Sequence, residues 1–215
     1  MTVPEIKVCG ITRPEDATFA LTEGADFLGF ILYHKSPRRV TLEEALALFD
    51  AAEVPKEKRV AVDVNPNPSH LSQLKKEGFS LFQLHFPFDL PRERIGQWVQ
   101  AVGSENLWLA PKLRPGESFP EDLTTFASSF LIDGFSPDAY GGTGQSADWN
   151  QFAEWRNSWA DKDWILAGGL SPENVSQAVA ISGASRVDAN SGVESAPGIK
   201  DAAKIRAFFA SLNPT

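Results

Sequence analysis

A single cysteine, Cys9, in a chain of 215 residues rules out an internal disulfide, and with it the stapled frameworks of small secreted domains. A reducing cytoplasm is the expected setting. Histidine is nearly as scarce: His34, His70 and His85 are the only three. No spacing of His, Cys, Asp and Glu suits a metal, so no metal is expected. A Gly-x-Gly-x-x-Gly fingerprint is missing, which removes the usual sign of a dinucleotide, and no cofactor is expected. There is no apolar run near the ~20 residues needed to span a bilayer, so no membrane partner is expected. The opening Met1-Thr2-Val3-Pro4-Glu5 lacks the charged and apolar regions of a secretion signal. Low-complexity and linker-like stretches are also lacking, and residues 1–215 read as one domain.

Positive charge is in deficit. The formal net charge of −8 argues against a nucleic-acid partner, whose phosphates most of the surface would repel. A small anion is not excluded, because local donors outweigh a mean field. The chain has an ordinary globular balance, with 42% apolar and 22% charged residues.

Short apolar runs alternate with longer amphipathic ones along the whole sequence. That pattern signals strand–helix units and a parallel sheet. The expected strands are 5–9, 26–32, 59–64, 80–85, 107–113, 130–133, 163–167 and 186–189. Between them, helices are expected at 14–23, 41–50, 68–77, 91–102, 149–160, 172–181 and 200–212, with a short helical stretch at 120–127. Thr12 is a candidate cap for the first helix, and Thr41 with Glu44 forms a capping box for the second. Eight such pairs in sequence predict a (β/α)₈ barrel, small beside the usual ~250 residues. A doubly wound open sheet is the competing arrangement.

Two glycine- and serine-rich turns follow late strands: Gly168-Gly169-Leu170 and Asn190-Ser191-Gly192. Glycine lets the main chain approach a ligand closely, and amides at a helix start carry partial positive charge. The loops after strands seven and eight of such a barrel form its usual phosphate site. A small phosphorylated molecule is therefore the expected partner.

Reactive groups of a barrel stand at the C-terminal ends of its strands. Alternation puts Lys7 and Cys9 on the inward face of the first strand, with Ile6 and Val8 toward the helices. A lone cysteine often only fills space, but the lysine two residues away favours a thiolate able to act as a base. Asp133 ends the sixth strand, where a carboxylate is costly unless something needs it; a cap or a cation partner is the alternative. A base and an acid across one pocket suit a proton-transfer isomerisation. Arg38, beside Arg39, can grip a carboxylate in two parallel hydrogen bonds, although the sequence does not choose between the two arginines. His85 either donates to a substrate or makes a structural hydrogen bond, and Asp188 orients backbone or a nearby cation. Gly142 and Gly144, in Tyr140-Gly-Gly-Thr-Gly144, belong to a long loop after Asp133 that can cover a ligand.

Taken together and in order, several segments resemble the phosphoribosylanthranilate isomerase family. They are Lys7-Val-Cys-Gly-Ile-Thr12, Lys35-Ser-Pro-Arg38, Gln83-Leu-His85, Asp133, Gly141-Gly-Thr-Gly144, Leu166-Ala-Gly-Gly-Leu170 and Asn190-Ser-Gly-Val-Glu194. The resemblance implies an Amadori rearrangement of N-(5-phosphoribosyl)anthranilate in tryptophan biosynthesis, without cofactor or metal. It implies Asp133 as general acid, Cys9 as general base and Arg38 as the grip on the anthranilate carboxylate. Gly168, Gly169, Asn190, Ser191 and Gly192 match the phosphate turns, and Lys7, His85, Gly142, Gly144 and Asp188 complete the expected substrate-binding set. A monomer or homodimer is expected.

Two departures stand out. After His85 the family usually has glycine and an acidic residue, whereas this chain has Phe86-Pro87-Phe88-Asp89. Asp63 replaces a common apolar residue; if it faces the barrel it needs a partner, with Lys7 and Lys112 as candidates. The competing activities are the same chemistry on the histidine-pathway aminoimidazole substrate, by an enzyme with two phosphate sites and aspartates as acid and base, and a non-catalytic barrel that binds a phosphorylated ligand.

Overall fold

In the computed structural model, which describes residues 3–135 and 147–213, eight parallel strands close into a barrel. The strands are β1 Glu5–Cys9, β2 Phe27–Ile31, β3 Arg59–Val64, β4 Leu81–Pro87, β5 Leu107–Lys112, β6 Ser129–Ile132, β7 Asp163–Leu166 and β8 Arg186–Ala189. Each pairs with its sequence neighbour, and β1 closes on β8 with Lys7 opposite Asp188. The helices are α1 Pro14–Thr22, α2 Leu42–Ala51, α3 Pro68–Lys76, α4 Arg92–Val102, α5 Trp149–Ser158, α6 Val175–Ser182 and α7 Ala202–Leu212. The open-sheet alternative is excluded by the β1–β8 ladder.

Strand alternation sorts the apolar residues into two cores. Ile6, Val8, Leu28, Phe30, Ala61, Phe82, Leu84, Phe130 and Leu166 face outward into the layer beneath the helices. Ile31, Val60, Val62, Trp108, Ala110, Leu131, Ile165 and Cys9 fill the inside of the barrel. The period-two pattern thus decides which side chains can reach the mouth.

Local sequence explains the helix starts, with exceptions. Thr41 accepts from the Glu44 N–H while Glu44 accepts from the Thr41 N–H, the expected capping box. Thr12 does not cap α1: Arg13 is the N-cap, and the Thr12 hydroxyl donates to the Gly198 carbonyl. After β5 the chain makes only a 3₁₀ turn, Glu121–Thr125. The final helix begins at Ala202 rather than 200, because residues 194–200 form a small antiparallel hairpin, β9 Glu194–Ala196 and β10 Ile199–Lys200. Sequence periodicity missed this hairpin, whose strands are only three and two residues long.

The unusual Phe86-Pro87 extends β4 past His85, pairing with Pro111 and Lys112. Phe86 points outward and meets Trp98 edge-on at 5.7 Å, so its bulk serves helix packing. Pro87, Phe88 and Asp89 border a neighbouring hollow with Arg114 and Phe135 rather than the central cavity.

Candidate active site

The C-terminal mouth holds a cavity of about 420 Å³, within the range of small-molecule sites. Cys9, Arg38, His85, Asp133, Asp188, Gly168, Gly169, Asn190 and Ser191 all line it. The proposed acid and base therefore share one compartment. Gly142 and Gly144 lie outside the described residues.

Lys7 lies fully buried below the mouth, its Nζ 2.8 Å from Asp188 Oδ1. Burial opposes its charge, but Asp188 and then Cys9 more than offset it and hold the ammonium above its usual pKa. The pair exists because Gly29 leaves room. A Cβ there would sit 2.8 Å from the Cys9 sulfur and 2.9 Å from Lys7 Nζ.

The expected ease of forming a Cys9 thiolate is corrected by the geometry. Burial dominates and pushes the thiol above the ordinary range, while Lys7 lowers it and Asp188 raises it again. Asp188 offsets only part of the help from Lys7, and burial outweighs what is left. Asp133 moves in the direction an acid needs. Burial, with Asp188 nearby, raises it to about 7 despite a 2.7 Å hydrogen bond from the Gly134 N–H. At neutral pH this carboxyl keeps a substantial protonated fraction.

His85 is lowered to about 4 by burial and then by Lys7, so it stands as a neutral imidazole. Its Nε2 lies 2.9 Å from the Gln83 amide nitrogen, and Gln83 also lines the cavity. Gln83 opens one of the quoted motifs but was given no role of its own, because an inward amide has no separate signature in sequence. Asp63 does not share the inward parity of Val60 and Val62. Burial raises its pKa, opposed by the 2.7 Å hydrogen bond it accepts from the Val64 N–H and then by His70 and His34 rather than by Lys7.

The two glycine turns stand side by side at one rim of the cavity. Gly168 and Gly169 take φ of +84° and +60°, a left-handed conformation that favours glycine. Asn174 fastens this turn by donating to the Gly169 carbonyl and accepting from the Ser171 N–H. Gly192 packs behind the rim: a Cβ there would lie 2.0 Å from the Leu170 carbonyl oxygen, so only glycine lets the turns meet. The second turn is itself the start of a 3₁₀ turn, Ser191–Val193, with Asn190 as its N-cap, in place of a long helix.

Arg38 is buried and already engaged. Its Nε lies 2.9 Å from Glu194 Oε1 and its Nη2 lies 2.7 Å from Oε2. Lys200 Nζ meets the same carboxylate at 2.9 Å and donates to Asn190 Oδ1 at 3.0 Å. Neither Glu194 nor Lys200 was singled out from sequence as a site residue, although both belong to segments that match the family, Asn190-Ser-Gly-Val-Glu194 and Pro197-Gly198 with Lys200-Asp201. Among the described residues no cluster of His, Cys, Asp and Glu could hold a metal ion.

The sequence pattern of N-(5'-phosphoribosyl)anthranilate (PRA) isomerase matches residues 6–211. The chain belongs to this family. The isomerase of Neisseria meningitidis is 38% identical over 211 residues, covering 96% of this chain and 95% of that one. The crystal structure of phosphoribosyl anthranilate isomerase from Thermus thermophilus superposes with a TM-score of 0.82 at 34% identity, covering 97% of this chain and 98% of that one. Another phosphoribosyl anthranilate isomerase structure, 29% identical with a TM-score of 0.78 and covering 99% of this chain and 100% of that one, contains reduced 1-(o-carboxyphenylamino)-1-deoxyribulose 5-phosphate. PRA isomerases are thus its relatives in sequence and in fold.

Proposed function

We propose that this chain isomerises N-(5'-phosphoribosyl)anthranilate to 1-(o-carboxyphenylamino)-1-deoxyribulose 5-phosphate, with Asp133 as general acid and Cys9 as general base. The observation that carries the assignment is the placement of both groups on the wall of one cavity rimmed by two amide-rich turns.

The phosphate is moored at the turns 168–170 and 190–192, where main-chain amides and the positive end of a 3₁₀ turn receive a dianion. Arg38 holds the anthranilate carboxylate on the edge of its guanidinium that Glu194 leaves free. Asp133, protonated near neutrality, gives its proton to the ribose ring oxygen, and the C1–O bond breaks to leave an iminium. Cys9 then takes the proton from C2, and the electron pair moves to form the C1–C2 enolamine. Return of a proton to C1 and loss of one from the C2 hydroxyl yield the ketone. Lys7 serves Cys9 by stabilising the thiolate once formed, and Asp188 keeps Lys7 in place. Neutral His85 offers a hydrogen bond without adding charge. A cytoplasmic monomer or homodimer acting on a small phosphorylated molecule fits this chemistry.

The decisive measurement is fluorescence-monitored turnover of freshly prepared phosphoribosylanthranilate, with the aminoimidazole substrate in parallel. Cys9→Ala and Asp133→Asn are expected to lower kcat by ~10²–10⁴-fold or more while binding of a product analogue changes little. Turnover of the imidazole compound alone would overturn the substrate assignment. Undiminished activity in both variants would overturn the roles.

A further inference from the structure

We infer that Glu194 is a positioning residue for substrate recognition, one that presets Arg38 for the aromatic carboxylate and ties that grip to the phosphate turn. The inference rests on the reading of Arg38 given above.

The carboxylate of Glu194 is nearly surrounded by donors. Arg38 Nε approaches both oxygens, at 2.9 and 3.0 Å, and Arg38 Nη2 approaches Oε2 at 2.7 Å. The Gly198 N–H donates to Oε1 at 3.1 Å, and Lys200 Nζ at 2.9 Å. This is more satisfaction than a single ion pair needs, and it is buried. Because Glu194 takes the Nε/Nη2 edge, the edge carrying Nη1 and the second Nη2 hydrogen is left to a ligand. A planar fork with one edge fixed presents the other in a defined plane, so little rotamer freedom remains to be lost on binding.

The same carboxylate reaches the phosphate end. Lys200 Nζ donates onward to Asn190, at 3.0 Å to Oδ1 and 3.3 Å to the backbone oxygen. Asn190 and Arg38 meet over Gly10, where a Cβ would lie 2.7 Å from Asn190 Oδ1 and 2.9 Å from Arg38 Cδ. The hairpin β9–β10 that supplies Glu194, Gly198 and Lys200 is also pinned by Thr12, whose hydroxyl donates to Gly198. With Arg38 from the loop after β2, Lys200 and Glu194 of the hairpin make two cations around one carboxylate, a surplus positive charge between the places proposed for two anionic groups of one substrate. A loop merely closing the barrel has no need of that charge in a chain so acidic overall.

Calorimetric binding of two stable ligands separates this role from general support: reduced 1-(o-carboxyphenylamino)-1-deoxyribulose 5-phosphate and its homologue lacking the carboxylate. Arg38→Ala is expected to weaken the carboxylated ligand ~10–100-fold and the homologue by less than about threefold. Glu194→Ala is expected to show the same selectivity at ~10-fold, and Glu194→Gln, which keeps one accepting oxygen and the side-chain volume, an intermediate loss. If Glu194→Ala is poorly folded, the Gln variant alone carries the comparison. Equal weakening of both ligands, or of neither, in the Glu194 variants while Arg38→Ala discriminates would overturn the inference and leave Arg38 in its role. Failure of Arg38→Ala to discriminate would overturn the reading of Arg38 and, with it, the inference.

Discussion

The two ends of the barrel interior each hold a cation beside a carboxylate, but in very different surroundings. At the N-terminal end, Arg186 meets Glu5 with its Nε 2.7 Å from the carboxylate and lies over the rings of Phe27 and Trp108 at 4.9 and 5.1 Å. The Glu5 side chain is 49% exposed. At the C-terminal end, Lys7 and Asp188 form a pair whose side chains are 0% and 7% exposed. Water and aromatic faces make the lower pair cheap to hold. Desolvation makes the upper pair expensive, and apolar residues of the same volume would pack there at less cost. A fold indifferent to chemistry would not put its buried ions at the mouth. The lower end closes the barrel; the buried charge at the upper end is what the proposed proton transfers would require.

Breaking the upper pair should have the largest effect. Lys7→Met leaves Asp188 buried without its counterion, and a loss of ~3–5 kcal/mol of unfolding free energy is expected in denaturant titration. The double replacement Lys7→Met with Asp188→Leu should recover most of that stability but not turnover. If the double variant stays as unstable as the single one, the upper pair is structural and the contrast between the ends fails.

Asp133 sharpens the contrast through pH. Its carboxyl titrates at about 7 in the folded chain against an ordinary value of 3.8, so the folded state holds a proton that the unfolded state releases. Stability from this group is fully present below pH 4 and is lost as pH rises toward 7. Asp133→Asn should therefore leave thermal stability unchanged near pH 4 and raise it above pH 7, on the order of 1–3 kcal/mol, while lowering activity. Turnover follows from the same values. The proposed mechanism needs Asp133 protonated and Cys9 ionised, and Cys9 lies above the ordinary thiol range, so the two are ordered against each other. The kcat/KM profile should fall tenfold per unit below about pH 7 and fall again above the thiol value, with the two limbs belonging to the coupled pair. A flat profile from pH 5 to pH 9 would remove both groups from the mechanism.

How much of this was legible before the coordinates depends on range in the chain. The period-two face of Lys7 and Cys9, the strand ends at Asp133 and Asp188, and the capping box of Thr41 and Glu44 are local patterns, and the barrel and its mouth follow from repeating them. The two glycine turns were readable for the same reason. What sequence could not show was competition between partners far apart in the chain. Lys7 meets Asp188 across 181 positions and Arg38 meets Glu194 across 156, so Asp188 was expected beside backbone or some cation without Lys7 being named as that cation, and the burial that opposes the thiolate was not visible. The hairpin carrying Glu194 and Lys200 fell largely in a stretch left without an element before the last helix, because its strands are too short to show alternation. Asp63 had a visible departure but no visible parity, which only the register of β3 against β4 supplied.

The smallest expected effect lies at the lower end, and it is the control on the whole comparison. Glu5→Gln keeps the volume and the hydrogen-bonding oxygen while removing a half-exposed charge, so unfolding free energy should change by less than about 1 kcal/mol. Arg186 keeps its stacking on Phe27 and Trp108, whose benefit does not depend on Glu5. Raising salt from low to moderate ionic strength should erase even that difference, because an exposed pair is screened while the buried one above is not. Activity should be unaltered, since the barrel core of Leu131, Ile165 and Val60 stands between Glu5 and the mouth. A loss at this position matching that of Lys7→Met would mean that burial does not distinguish the two ends, and the case for a mouth kept polar for catalysis would go with it.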